Sequence, residues 1–293
     1  MTITISSGVD KSGLWIVSGN PLVVLSGGEV DYSNILSGAS ATLSSGAVAF
    51  ELDILSGGVV RGPGEITGGW LESGATITGV TAEGLDLRGG TAIDLTVVGG
   101  PVEAGGFANL YVSSGAGATG TVVSSGGIVW DYGSATDTLI ESGGLEYIGS
   151  GGYGAGDTVQ SGGEEVFDTD SVASGILVQH GGVLELGGAA SDVTVQSGAT
   201  LAFGGDLTSN FTAGVVTSTT TVRGATVSSG AFLTLFDATV MSGVTVTLTS
   251  GVIADNLTVA RGGLVEGSGE LGGPPAVLGG YAGYTMSRAS SAD

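Results

Sequence analysis

Carboxylates are the residues of this chain whose types and spacing best suit chemistry. Glu146 and Glu165 lie nineteen positions apart, and so do Asp53 and Glu72. If the chain repeats with that period, each pair stands on neighbouring units, about one strand spacing (~4.8 Å) apart. Two such carboxylates repel unless a cation sits between them, and calcium gathers several oxygens from surfaces of this kind. Glu164, Glu165, Asp168 and Asp170 thicken the same zone. The candidate calcium ligands are therefore Glu146, Glu165, Asp168 and Asp170; the plainer alternative is a solvated acidic face. Gly151–Val159, GGYGAGDTV, is close to a calcium-binding glycine–aspartate repeat. Its Asp157 falls one position late and the motif occurs once, so it reads as an ordinary turn. No cofactor other than calcium is indicated.

Other chemistry is sparse. His180 is the only histidine, Lys11 the only lysine, and there is no cysteine. His180 takes the place that Ser142 and Ser161 hold in earlier units, which suits a turn rather than a base. No Ser/His/Asp set, Cys/His cluster, Walker loop or dinucleotide fingerprint is present. A polysaccharide lyase or hydrolase with paired carboxylates stays as an alternative, but a non-enzymatic protein is expected. Trp15, Trp70 and Trp130, with Tyr32, Tyr132 and Tyr147, form either a sugar-stacking strip or coil packing. Asn210 and Asn256 head sequences of the glycosylation-acceptor type.

The elements that position these residues follow from a repeat. Ser-Gly steps begin at Ser7, Ser18, Ser26, Ser37, Ser45 and Ser56, with long and short gaps in strict alternation. Two interleaved series result, Ser7, Ser26, Ser45 and Ser18, Ser37, Ser56, each advancing by nineteen positions. Ser142, Ser161 and His180 keep the beat, as do Ser242 and Arg261. Between the glycines, Val48, Phe50, Leu52 and Ile54 alternate with Ala49, Glu51 and Asp53. Val244, Val246 and Leu248 alternate with Thr245, Thr247 and Thr249. Period-two alternation predicts strands with one face inward, and Gly after Ser supplies a sharp corner. Two short strands and two corners make one coil, which buries its apolar face only by stacking on the next. The prediction is an all-β chain: a parallel β-solenoid of about 15 coils, on the order of 70 Å long. It covers residues 1–273, with irregular stretches around 62–120 and 204–221, followed by a non-repeat tail over 274–293.

Composition narrows the function. The net charge is −22, from 28 Asp and Glu against 6 Lys and Arg. Nucleic acid and anionic membranes are excluded as partners by that sign. No apolar run is long enough for a membrane helix, and no membrane insertion is expected. With 59 glycines but a hydrophobic fraction of 41%, the chain is neither collagen nor disordered. The opening MTITISSGVDKSGLWIVSG lacks the basic and apolar regions of a Sec-type signal, so export is expected through a signal elsewhere or a one-step exporter.

The beat of Ser-Gly-Gly corners in LIESGGLEYIGSGGYGAGDTVQSGGEEVF and VSGNPLVVLSGGEVDYSNILSGA resembles the passenger repeats of AIDA-type autotransporter adhesins. The resemblance covers about four fifths of the chain. It implies a bacterial surface β-helix, roles in autoaggregation, biofilm and host attachment, and in some members O-linked heptose on Ser or Thr. No C-terminal translocator barrel is expected from these residues, which is a departure from the family. The reading is a secreted or cell-surface structural and adhesive protein that associates end to end into filaments through uncapped strand edges. The alternative is an adhesin module that binds host or cell-surface glycans.

Overall fold

The computed structural model describes residues 1–99, 109–272, 276–278 and 281–282. Among them there is no helix, and the strands wind into a parallel β-solenoid of about 14 turns. One coil shows the plan. Strand Leu22–Val24 runs into a Ser-Gly-Gly turn, and strand Glu29–Ile35 follows. That strand is broken at Tyr32, whose φ is 45°. A second Ser-Gly turn returns the chain to Ser40–Leu43, which lies in register on Leu22–Val24. Each coil thus has three sides rather than the expected two. The third corner is one left-handed residue, supplied by Tyr32, Glu51, Asp137 and Asp192 as well as by glycines. Asn and Asp tolerate this conformation; Tyr and Glu are less usual there.

Three ladders follow. The first, 11 strands long, starts with Ile3–Ile5, Leu22–Val24 and Ser40–Leu43. The second starts with Asp10–Ser12 and residues 29–31 and 48–50. The third starts with Trp15–Ile16 and residues 33–35 and 52–54, and includes Ile128–Asp131, Leu145–Ile148 and Glu164–Phe167. Leu22, Ala41 and Val60 succeed one another in one column at the regular beat. Irregularity over 62–120 is a change of coil length. The same column continues through Ile77, Ala92 and Ala118, so two shortened coils precede a lengthened one. Near 204–221 the chain leaves the coil. Phe211–Val215 and Thr220–Val222 make antiparallel pairs, and the chain rejoins the ladders when Ala225 reaches Val193 and Leu233 reaches Leu201.

The broken strands reset the alternation. In Val48–Ile54 the buried residues are Ala49, Leu52 and Ile54, whereas Val48 and Phe50 point outward. The sequence reading of Val48 and Phe50 as inward is corrected by the left-handed Glu51 that follows them, which shifts the parity by one. Where no kink intervenes the alternation holds, and Val244, Val246 and Leu248 are buried. The inward residues stack into apolar columns one coil apart, each fully buried aliphatic side chain contributing about 1.5–3 kcal/mol.

The Ser-Gly beat has a contact reason. A Cβ on Gly162 (φ +78°) would lie 2.6 Å from Oγ of Ser142 in the preceding coil. The serine of one coil fills the space that glycine leaves in the next, and Gly143 N donates to Gly162 O at 2.7 Å alongside. Gly162→Ala is expected to lower the unfolding free energy by about 1–3 kcal/mol. Adding Ser142→Gly should recover the steric part but not the strain. Denaturant titrations of the two variants check this.

The C-terminal end differs from the sequence reading. Ala276–Leu278 stacks in parallel on Thr258–Ala260, and Tyr281–Ala282 on Leu264–Gly267, so coils continue into the segment read as a non-repeat tail. The rest of 274–293, save those two strands, lies outside the described residues. At the N-terminus, Lys11 occupies the register position that Val30 fills inside the next coil. The only lysine of the chain therefore stands, exposed, at the first position of a column that is inward from Val30 onward.

Candidate functional site

The outward column of the third ladder runs through Trp15, Asn34, Asp53, Trp70, Asp86, Tyr111, Trp130 and Tyr147. All three tryptophans of the chain stand in it. Each alternates with an inward aliphatic or acidic residue, so the ladder pleat holds the rings on the surface. Trp15 is 65% exposed and Tyr111 42%; Trp130 and Tyr147 are half-buried. Trp130 and Tyr147 have ring centroids 5.0 Å apart, and Tyr132, at the adjoining corner, lies 5.3 Å from Tyr111 and 6.4 Å from Tyr147. Tyr111, Trp130 and Tyr147, one coil apart, with Tyr132 beside them, make a platform of mutually tilted rings.

Polar groups rim this platform. Tyr147 Oη donates to Asp168 Oδ2 at 3.1 Å. Arg88 lies over the Trp70 ring, 4.7 Å from its centroid, and its Nε donates to Asp86 Oδ2 at 2.6 Å. Burial pushes Asp53 up to about 6. Of the strip proposed from the sequence, Trp15, Trp70, Trp130 and Tyr147 share the column and Tyr132 adjoins it. Tyr32 does not: it packs edge-on against Phe50 at its own corner. Tyr111 joins the column unannounced by the sequence, because a lengthened coil sets it on Asp86 off the regular beat.

The candidate calcium ligands divide. Glu146 and Glu165 are directly in register on adjacent coils, as the spacing predicts. They point inward and are fully buried, in a column that otherwise runs Leu110, Val129, then Leu184 and Leu201. Asp168 and Asp170 stay on the surface: Asp168 is half-buried at the rim of the platform, and Asp170 is exposed. The solvated acidic face is thus corrected for Glu146 and Glu165. Asp53 and Glu72 are not partners either, since Ile54 pairs with Leu71 in a shortened coil. Glu72 Oε2 instead accepts from Ser56 N at 3.2 Å.

A third interior carboxylate completes the group. Asp157, read as an ordinary turn residue, follows the left-handed Gly156 and is fully buried. Oxygens of Glu146, Asp157 and Glu165 lie within 4.8 Å of one another. Thr138 orients two of them: its N donates to Asp157 Oδ1 at 2.7 Å and its Oγ1 to Glu146 Oε1 at 3.3 Å. Asp131, also buried, accepts from Gly133 N at 2.8 Å and Ala135 N at 3.0 Å. Burial raises all four. Asp131 is pushed up to about 6 against the pull of those two amides. Asp157 is pushed up to about 6, and Glu146 and Glu165 stand well above the usual carboxylate range, each with the Asp157 charge adding to the effect of burial.

His180 stands exposed on a turn, with Nδ1 3.1 Å from Ser197 O. Asn210 Oδ1 accepts from Thr245 N at 2.8 Å, and Asn256 donates to Asp237. Both asparagines are exposed.

No protein-family model matches the chain, and no curated protein matches it. Among solved structures, it is similar to the crystal structure of the TibC-catalysed hyper-glycosylated TibA55-350 fragment, with 26% identity over 96% of this chain and 94% of that one and a TM-score of 0.42.

Proposed function

We propose that this chain is a secreted or cell-surface adhesive rod, without enzymatic activity, whose aromatic column holds glycan chains of a neighbouring cell or matrix. The observation that carries the reading is the gathering of Trp15, Trp70, Trp130, Tyr111 and Tyr147 on one outward column. The rings of Trp15, Tyr111, Trp130 and Tyr147 stack against sugar faces, while the Asn34 amide between them hydrogen-bonds sugar hydroxyls. The charge of −22 selects the ligand class: an uncharged or amino-bearing polysaccharide rather than a polyanionic one. The resemblance of the Ser-Gly-Gly repeats to adhesin passengers agrees with this role.

The test is affinity electrophoresis of the full chain through neutral, amino-bearing and sulfated polysaccharides. Retention is expected with the first two classes, and Trp130→Ala with Tyr147→Ala should weaken it about tenfold or more. Equal retention of that double variant would remove the column from the binding role.

The second reading is end-to-end assembly into surface or biofilm filaments. It is favoured by the first-coil strands Ile3–Ile5 and Trp15–Ile16, each paired on one side only. Lys11 at the same end opposes it. Electron micrographs of wild type at high concentration are expected to show single rods, with longer stacks in Lys11→Val. Long filaments of wild type would instead place assembly first.

A further inference from the structure

We propose that Glu146, Asp157 and Glu165 enclose one calcium ion inside the rod. Their oxygens lie within 4.8 Å of one another. Calcium–oxygen distances of about 2.3–2.6 Å place ligands on opposite sides of one ion roughly 5 Å apart. The second observation concerns Glu165. It is fully buried, and no backbone or hydroxyl donor reaches either of its oxygens; its one side-chain neighbour within hydrogen-bond reach is the Asp157 carboxyl, which is no donor when ionised. Glu146 Oε2 and Asp157 Oδ2 are also buried without a partner. Four orphaned carboxylate oxygens therefore converge where Thr138 has already turned two of the side chains toward the third.

The protein supplies no positive charge to this place. No lysine or arginine occurs between Arg88 and Arg223, and the sole histidine, His180, stands exposed at a turn. Buried unpaired carboxylates are costly enough that a counter-charge or protonation must answer them. Among divalent ions, magnesium holds several waters in strict octahedral geometry, whereas calcium accepts flexible, carboxylate-rich shells. A closed cluster two coils deep, built from side chains of unequal length, suits calcium. Because the ligands come from neighbouring coils, the ion ties those coils together from within. This site is independent of the aromatic column, and either proposal survives failure of the other.

The experiment uses the full chain, stripped with a chelator, reloaded with calcium and passed over a desalting column. Metal analysis is expected to find one calcium per chain. Calcium at about a hundredfold above its dissociation constant should raise the melting temperature by about 5–10 °C, and magnesium by less. Glu165→Gln and Asp157→Asn should each abolish retention and the calcium-dependent shift while keeping the far-ultraviolet spectrum of a β-rod. Asp168→Asn with Asp170→Asn should keep both. A wild-type chain that retains no calcium and melts identically with calcium or chelator overturns the proposal. So does a calcium shift that persists in Glu165→Gln, or one that disappears in the surface double variant alone.

Discussion

In calcium-free buffer at neutral pH, replacing Glu146 and Glu165 together by leucine is expected to raise the unfolding free energy by about 1–4 kcal/mol. The two side chains interrupt a column of Leu110, Val129, Leu184 and Leu201. They are fully buried, they stack on each other in register, and Glu165 has only the Asp157 carboxyl within hydrogen-bond reach. Two like charges in such a place lose hydration and gain repulsion. Leucine is of similar volume and continues the aliphatic stack. Against this gain stands the loss of the Thr138 Oγ1 contact to Glu146, a single long hydrogen bond at 3.3 Å. With calcium present the order should reverse, since only the wild type binds the ion, and binding to the folded state alone stabilises it. Urea titrations with chelator and with calcium measure both differences. A less stable double variant in chelator would mean that the fold neutralises these carboxylates from within.

The chelated wild type is expected to become more stable as the pH falls from 7 toward 4. Asp131 and Asp157 are raised by burial to about 6 from an ordinary value of 3.8, and Glu146 and Glu165 are also held well above their ordinary value. Between the unfolded and folded values the folded chain holds more protons than the unfolded one. Stability therefore falls with rising pH through this window. The penalty is complete above the folded values and absent below the unfolded ones. For one buried aspartate raised this far, the difference corresponds to about 2–3 kcal/mol, and the four act as an interacting set rather than additively. Many proteins lose stability over this range as paired carboxylates take up protons; here it should rise. Protonation also relieves the repulsion of a chain carrying −22. The Glu146→Leu, Glu165→Leu variant separates the two effects: surface relief remains in it, while the interior contribution shrinks. Denaturant midpoints from pH 7 to 4 for both proteins give the comparison, and parallel curves would assign the whole effect to the surface.

The aromatic column and two of the three interior carboxylates, Glu146 and Glu165, occupy opposite faces of one ladder, while Asp157 reaches in from a corner between the other two ladders. Trp130 and Tyr147 look outward from the strands whose Glu146 and Asp131 look inward. A cation that stiffens these coils would also hold the rings of the platform in line. A rod suits adhesion because a stacked ladder repeats one contact at every coil.

Repetition was legible in the residues. Serine and glycine recur on one beat because at many corners, Gly27, Gly46, Gly143 and Gly162 among them, a Cβ would press on the serine of the coil below. Ser142 and Gly162 make that contact from local types alone, and apolar alternation between them means strands. The inward turn of Glu146 was within reach too, since it shares parity with Ile148 and Glu165 shares it with Phe167. Leu145 and Tyr147 on the other face masked that signal. Two matters lay beyond any local pattern. The third corner falls on Tyr32, Glu51 or Asp137, all left-handed in the fold, although Glu51 read as part of an alternating strand. Coil length then varies, so Trp70, Tyr111 and Trp130 are brought into one column by pairing across coils of unequal length, which counting along the chain does not reveal. Facing and register depend on contacts with the coil below, which are distant in sequence, and for that reason Asp157 looked like a surface turn and proved to be an interior carboxylate.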